Sequence, residues 1–377
     1  MNGIEYKDRY YFSANYESAR SRFREAVCRR EGRLFALDLS AKGPAGERLS
    51  IDIAWFGSAR PRRAFVHSCG LHGVEAFSGS AIQLLWLNST LPDIPEDGAI
   101  ILAHVLNPYG MAWLRRGNEN NVDLNRNFRD TGETADIPRY WEALNALLNP
   151  PTPPKRDWFR QRLSWMVFWR NKRAVRQAIG GGQCLNPKGL FFAGEALEEG
   201  PSKFQGFMEE RLSAAESIVA IDVHTGLGRS GEDRLLVDVP AEQPHISRAM
   251  RDVFGAYLEN SDTDGIAYTI RGSQQDMYTR SFPRSRVHFA CQEFGTYEPL
   301  RVLGALREEN RSHFYGNASK NIRDRTKESL LQAFNPVDPE WRHRVLLRGA
   351  VVMQQASTLA FAPEGRLLTS PRTQWSN

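Results

Sequence analysis

The sequence predicts an α/β protein with a mixed, largely parallel central sheet flanked by helices. Short apolar runs recur at Ala64–Ser68, Ala99–Leu106, Ser217–Val223, Leu235–Val239 and Val287–Cys291, and helical stretches separate several of them. Each run ends in a polar loop. Continuous apolar strands alternating with helices imply a sheet covered on both faces. In such sheets chemistry collects at the carboxyl ends of the strands, so the loops after these runs are where to look.

Taken in order, the chain opens on a helix capped by Ser13 or Asn15 and carrying Phe23 and Val27. Two strands follow, Arg33–Leu39 and Leu49–Phe56, separated by a Gly/Pro turn. Between Thr134 and Pro201 the alternation breaks, with Asn149-Pro-Pro-Thr-Pro-Pro154, a basic aromatic helix and Gly180-Gly-Gly182. No Ser/Gly-rich or acidic linker sets off an independent unit. Residues 1–377 therefore read as one domain with a helical excursion at about 134–200. Near the end, Arg344–Ser357 resembles a strand hairpin.

With 41% hydrophobic, 11% aromatic and 25% charged residues, the 377-residue chain is neither collagen-like, coiled-coil nor wholly disordered. Its net charge of +5 would by itself put nucleic acid or an anionic membrane among the partners. The charge is local, however. Lys155–Arg176 holds eight basic residues against Asp157, a local +7, and the remainder sums to −2. Nucleic acid is accordingly not expected. The opening MNGIEYKDRYYF lacks the basic start and apolar run of a secretory leader, and no window is long and apolar enough to span a bilayer. Cys28, Cys69, Cys184 and Cys291 lie far apart without paired spacing. These features together predict a reduced, cytoplasmic protein.

The first strand loop reads His67-Ser-Cys-Gly-Leu-His72-Gly-Val-Glu75 and runs into an apolar helix. His72 and Glu75, three apart at a strand-to-helix turn, can converge on one point. Such a pair is common by chance, but a third group changes its weight: the strand Ser217–Val223 leads into Asp222-Val-His224. Two His and one Glu with an open fourth position form a catalytic zinc ligand set. His67, His104 and His288 fall within strands, where a core or sheet-face role suits them, and His245, His313 and His343 have no partner pattern.

The loop after Leu106 gives Asn107-Pro-Tyr-Gly, then Arg115-Arg116, then Val122-Asp-Leu-Asn125-Arg126-Asn-Phe128. N-P-x-G, arginine and V-D-L-N-R-N-F, downstream of H-x-x-E, resemble the M14 (carboxypeptidase A-like) zinc metallopeptidase superfamily. GLHGVEAFSGSAIQ, RGNENNVDLNRNF, GGQCLNPKGLFFAGE, DVHTGLG and YTRSFPRSRVHFACQEFGTY are similar, more narrowly, to its DUF2817 branch. The resemblance runs from about Phe12 to about Thr358. It implies a zinc carboxypeptidase-like fold holding one Zn2+ on His72, Glu75 and His224, with Glu293 as general base. It assigns carbonyl polarisation to Arg116, nine residues before Asn125, with Arg115 as the alternative. Asn125 and Arg126 would grip a substrate carboxylate, and Tyr278 would be a mobile tyrosine closing over substrate. Ala76 departs from the glycine carried by relatives.

The implied activity is removal of a C-terminal residue from a peptide or peptide-like substrate with a free carboxylate. Two alternatives stand beside it. One is a deacylase of N-acyl amino acids, of the desuccinylase and aspartoacylase kind, against which the scarcity of C-terminal strands argues. The other is a non-catalytic binding protein with a vestigial site. The segment Trp158–Arg176 reads as a helix packed on the domain with a solvated basic face. Peripheral membrane contact through 155–176, or a role at the edge of the cleft, are its less favoured readings.

Overall fold

The computed structural model describes residues 8, 10–129, 137, 139–238, 244–260, 270–316 and 320–362. Among them are eight strands: β1 (Arg33–Lys42), β2 (Arg48–Gly57), β3 (Arg63–Cys69), β4 (Gly98–His104), β5 (Ser217–Thr225), β6 (Asp233–Val237), β7 (Leu258–Asn260) and β8 (Arg286–Phe294). They form one sheet in the order β1-β2-β4-β3-β5-β8-β6-β7. The centre β4-β3-β5-β8 is parallel, while β2 and β6 join it antiparallel on either side. This is the expected mixed, largely parallel sheet. Its central strands are rich in apolar residues because both faces are covered, and β4 and β5 are buried at every position.

The predicted strands lie where the apolar runs place them, although Val239 falls outside the described residues. The run from Ala99 stops pairing at His104, two residues earlier than its hydrophobicity suggests. Val105 there adopts φ 60°, which turns the chain so that Leu106 and Asn107 donate to the carbonyls of Cys69 and Gly70. The three-residue β7 is too short to carry an alternation signal.

One face of the sheet packs on α1 (Tyr16–Arg29), α2 (Ala76–Leu87), α8 (Pro244–Phe254) and α12 (Pro339–Phe361). The other packs on α7 (Glu199–Arg211) and α9 (Gln274–Ser281). Asn15 caps α1 through a reciprocal bond with Ser18, which decides between the two predicted caps. Buried Asp52 of β2 ties the helix down through Arg20 and Arg24. The remaining helices are α3 (Pro108–Trp113), α4 (Trp141–Leu148), α5 (Phe159–Trp169), α6 (Lys172–Gly180), α10 (Pro299–Tyr315) and α11 (Lys320–Phe334). Within the expected excursion, α4, α5 and α6 share a small apolar core with Leu300 and Leu303 of α10.

Arg344–Ser357 is not a strand hairpin but the middle of α12. Its buried positions Val345, Leu346, Gly349, Val352, Met353 and Ala356 recur every three to four residues, a helical stripe laid on α2 and the sheet. The valines that suggest strand are accommodated because tertiary burial outweighs their small helix penalty. Gly349 marks the closest approach: a Cβ there would lie 2.4 Å from Ile82 Cδ1. Gly206, in the exposed middle of α7, has nothing within 4 Å of the same atom. Chemical denaturation should therefore show opposite signs. Gly349→Ala loses roughly 1–3 kcal/mol through overpacking, whereas Gly206→Ala gains about 0.5–1 kcal/mol from helix propensity.

Candidate active site

Parallel pairing brings the carboxyl ends of β3, β5 and β8 to one edge of the sheet. Cys69 pairs with Val223, and His224 pairs with Glu293. His72 lies three residues beyond the end of β3 and precedes a single 3-10 turn, Gly73–Glu75, which returns Glu75 toward it. Ala76 follows with ordinary helical angles, so the departure from glycine introduces no strain.

The three side chains converge. His72 Nδ1 is 3.0 Å from Glu75 Oε1, His224 Nδ1 is 3.2 Å from Glu75 Oε2, and the two Nδ1 atoms are 3.1 Å apart. A tetrahedral zinc ion with bonds of about 2.0–2.2 Å holds its ligands roughly 3.3–3.6 Å apart. The observed triangle is a slightly contracted form of that face, and all three residues are buried. The remaining ring nitrogens are occupied by carboxylates: His72 Nε2 lies 3.0 Å from Asp123 Oδ1, and His224 Nε2 lies 2.6 Å from Asp222 Oδ2. A carboxylate on the far nitrogen fixes the tautomer that leaves Nδ1 free to ligate. The donor set and its supports therefore fit a zinc ion.

A second group, His224, Cys291 and Glu293, is also close enough to ligate a metal. It is the poorer set, because it competes for His224 and burial pushes the Cys291 thiol up, keeping it protonated. Glu293 adjoins the triangle through His224. One carboxylate oxygen accepts a bond from Leu227 N at 2.8 Å. Burial pushes its pKa up, and the neighbouring Glu75 adds to the shift, to about 7. Burial pushes Glu75 in the same direction, but His72, His224 and Arg116 outweigh it and hold that carboxyl below the ordinary range.

Arginines and the excursion complete the site. Arg116 donates to Glu75 at 2.8 Å and to Asp123 at 3.0 Å. Its neighbour Arg115 points elsewhere, into a buried ion pair with Glu309. Arg126 is 1% exposed, pairs with Asp123 at 2.5 Å and donates from Nε to Gly180 O at 3.0 Å. That carbonyl ends α6, so the excursion positions the arginine. Gly182, at φ 89°, is glycine for the same reason, since a Cβ there would sit 2.4 Å from Arg126 Cδ. The Phe191 ring lies 5.4 Å from the Arg116 guanidinium and 5.2 Å from that of Arg126.

These groups border a cavity of about 870 Å³. Its walls include His72, Glu75, Arg116, Asn125, Arg126, His224 and Glu293, and α6 adds Arg176 and Ile179. Tyr278 is the predicted residue that the structure does not bring there. It is fully buried, packs on Phe282 and Phe289, and belongs to the core beneath the sheet. The tyrosine that borders the cavity is Tyr297, three residues past the end of β8. Sequence reasoning also passed over Asp123 and Asp222. Strand alternation could have found Asp222, because residues two apart share a face, and Asp123 stands inside the V-D-L-N-R-N-F run.

Solved structures similar to the chain are few in shared residues but broad in coverage. Bovine thrombin-activatable fibrinolysis inhibitor, in complex with tick carboxypeptidase inhibitor, is 12% identical with a TM-score of 0.49, covering 93% of this chain and 98% of that one. Carboxypeptidase A from Helicoverpa armigera is 14% identical at 0.41, covering 90% and 73%. An aspartoacylase family protein from Mesorhizobium loti is 12% identical at 0.38, covering 76% and 67%. Among curated proteins no sequence matches the chain. The family model described as protein of unknown function (DUF2817) matches residues 12–348, and the chain belongs to that family.

Proposed function

We propose that the protein is a zinc-dependent amide hydrolase acting as a metallocarboxypeptidase on a peptide or peptide-like substrate. The observation that carries this reading is the buried His72–Glu75–His224 triangle beside Glu293 at the wall of an arginine-bordered cavity. His72, Glu75 and His224 would hold the ion. A zinc ion held there supplies Lewis acidity, acidifying a water and polarising a carbonyl oxygen. Glu293 takes the proton of the attacking water and returns it to the leaving nitrogen. Arg116 faces the charge that develops on the carbonyl oxygen, a contribution of about 3 kcal/mol for a well-placed donor. Arg126 and Asn125 hold the substrate's terminal carboxylate. Both line the cavity, and Arg126 would exchange part of its pairing with Asp123 for the incoming carboxylate. Tyr278 has no part in this reading, being enclosed in the core.

The alternative is deacylation of N-acyl amino acids. We also assign residues 1–377 to one catalytic domain and place it in a reducing, cytoplasmic compartment, a reading supported by the four unpaired cysteines.

His72→Ala should lose bound zinc by metal analysis, and full retained occupancy would sink the ligand assignment. Asp222→Asn, which leaves the three ligands intact, should weaken zinc about 10–100-fold.

Glu293→Gln should keep stoichiometric zinc and lose hydrolysis, so undiminished turnover removes it as the base. As a base Glu293 works deprotonated, so kcat/KM falls as pH drops through its pKa. Burial and Glu75 raise that value to about 7, and a bound dication draws it back toward the ordinary carboxylate value of about 4.3. The acid limb should lie between these limits, and a profile flat across that interval contradicts the assignment.

A peptide with a free C-terminus should release its last residue while its C-terminal amide is spared. Cleavage confined to small N-acyl amino acids would select the deacylase instead.

A further inference from the structure

The helical excursion carries a surface that hydrolysis does not use. One side of α5 packs inward through Phe159 and Leu163, with Met166 and Val167 half-buried. The opposite side is equally apolar but faces solvent: Trp158 is 72% exposed, Trp165 68%, Phe168 78% and Trp169 65%. At about 100° per residue these four rings form one stripe roughly 100° wide. Single exposed apolar residues need no explanation, but a contiguous group of this size marks an interaction surface. The expected packed helix with a solvated basic face is present in α5, and the solvated side also carries the aromatic stripe.

The same segment is one-sided in charge. Residues 158–180 hold Arg160, Arg162, Arg170, Lys172, Arg173 and Arg176 and no acidic residue. Asp157, just before α5, is turned to Arg307 at 2.6 Å and to Arg311 at 3.5 Å, both buried on α10. Its charge is spent inside the protein rather than balancing the exposed cations.

We propose that this face docks the protein on an anionic lipid bilayer, with the aromatic stripe of α5 seated at headgroup depth and the basic residues of α5 and α6 against the lipid charges. Indole rings favour that depth because they pair an apolar body with a polar N–H, and cations beside them add electrostatic attraction. Two other occupants fit less well. Phe168 meets Trp169 edge-on at 85° and Trp165 lies tilted to it at 55°, so the rings pack on one another instead of offering parallel platforms for bases. A second copy of the chain, paired about a two-fold axis, would oppose this basic patch to itself. The inference is independent of the hydrolase reading, since it rests on a different surface and is read by binding.

Flotation of the intact protein with vesicles tests it. Vesicles of phosphatidylcholine mixed with phosphatidylglycerol should carry the protein, and pure phosphatidylcholine vesicles should not. Raising salt from about 0.1 M to about 1 M, which shortens the screening length from roughly 10 Å to roughly 3 Å, should release it. The triple variant Trp165→Ser, Phe168→Ser, Trp169→Ser changes only exposed side chains. It should unfold at the wild-type temperature while its partitioning falls at least about tenfold. The proposal fails if neutral vesicles bind equally, if no vesicle binds, or if the triple variant floats like wild type. It fails equally if the patch proves to hold a dimer together in solution, or to prefer single-stranded nucleic acid over anionic vesicles.

Discussion

Everything at the site depends on the register of three parallel strands. His224 stands opposite Glu293, and Val223 stands opposite Cys69, from which three residues lead to His72. A strand has a period of two, so slipping β5 by one residue would turn His224 and Asp222 to the other face and scatter the triangle. What holds the register is burial. Every position of β5 is enclosed, with Ile218, Val219, Ala220 and Ile221 committed to the two cores on either face of the sheet. The large helical cover therefore serves the site by making one register much cheaper than its neighbours.

Charge sets the second constraint. Glu75, Asp123, Asp222 and Glu293 are four carboxylates in one enclosed region, answered by the guanidiniums of Arg116 and Arg126. The carboxylates outnumber the guanidiniums. Buried charge without compensation costs several kcal/mol per ion. A divalent cation supplies the balance, and without it protons must. This is why burial and Glu75 push Glu293 upward, and why the ligands, their carboxylate partners and the arginines act as one electrostatic unit. The architecture places a negative hole at the one point where three ligand atoms already meet.

The strand runs and the chemistry-bearing residues at their ends were legible in the sequence because both signals are local. A continuous apolar run reports burial on two faces, and His72, Glu75, His224 and Glu293 all fall at or just past strand ends. What the sequence did not disclose depends on distant partners. The hairpin expected at Arg344–Ser357 is a helix because its apolar stripe meets Ile82 and the sheet, more than 250 residues away in the chain. Tyr278 illustrates the same limit. The capping box of Ser273 and Asp276 announces α9, but whether a residue on that helix faces core or cavity is decided by how α9 lies on β8. Which of Arg115 and Arg116 borders the cavity depends likewise on Glu309 of α10, which pairs with the first and leaves the second on the cavity wall.

The excursion joins the two surfaces. A helix of eleven residues that is apolar on opposite sides cannot bury both by packing against one domain, so one stripe of α5 is left for something outside the chain. The next helix, α6, has a similar double allegiance. Its amino-terminal Lys172 and Arg173 are exposed beside the aromatic stripe, while Arg176, Ile179 and Gly180 border the cavity. Gly180 O is also the acceptor that fixes Arg126. The helix is nine residues long, about 13 Å at 1.5 Å per residue. A surface that engages its first turn thus lies within that distance of the carbonyl that orients Arg126 at the cavity wall. The basic aromatic segment, which looks in sequence like an insertion unrelated to the chemistry, reaches the cavity wall through the last turns of α6.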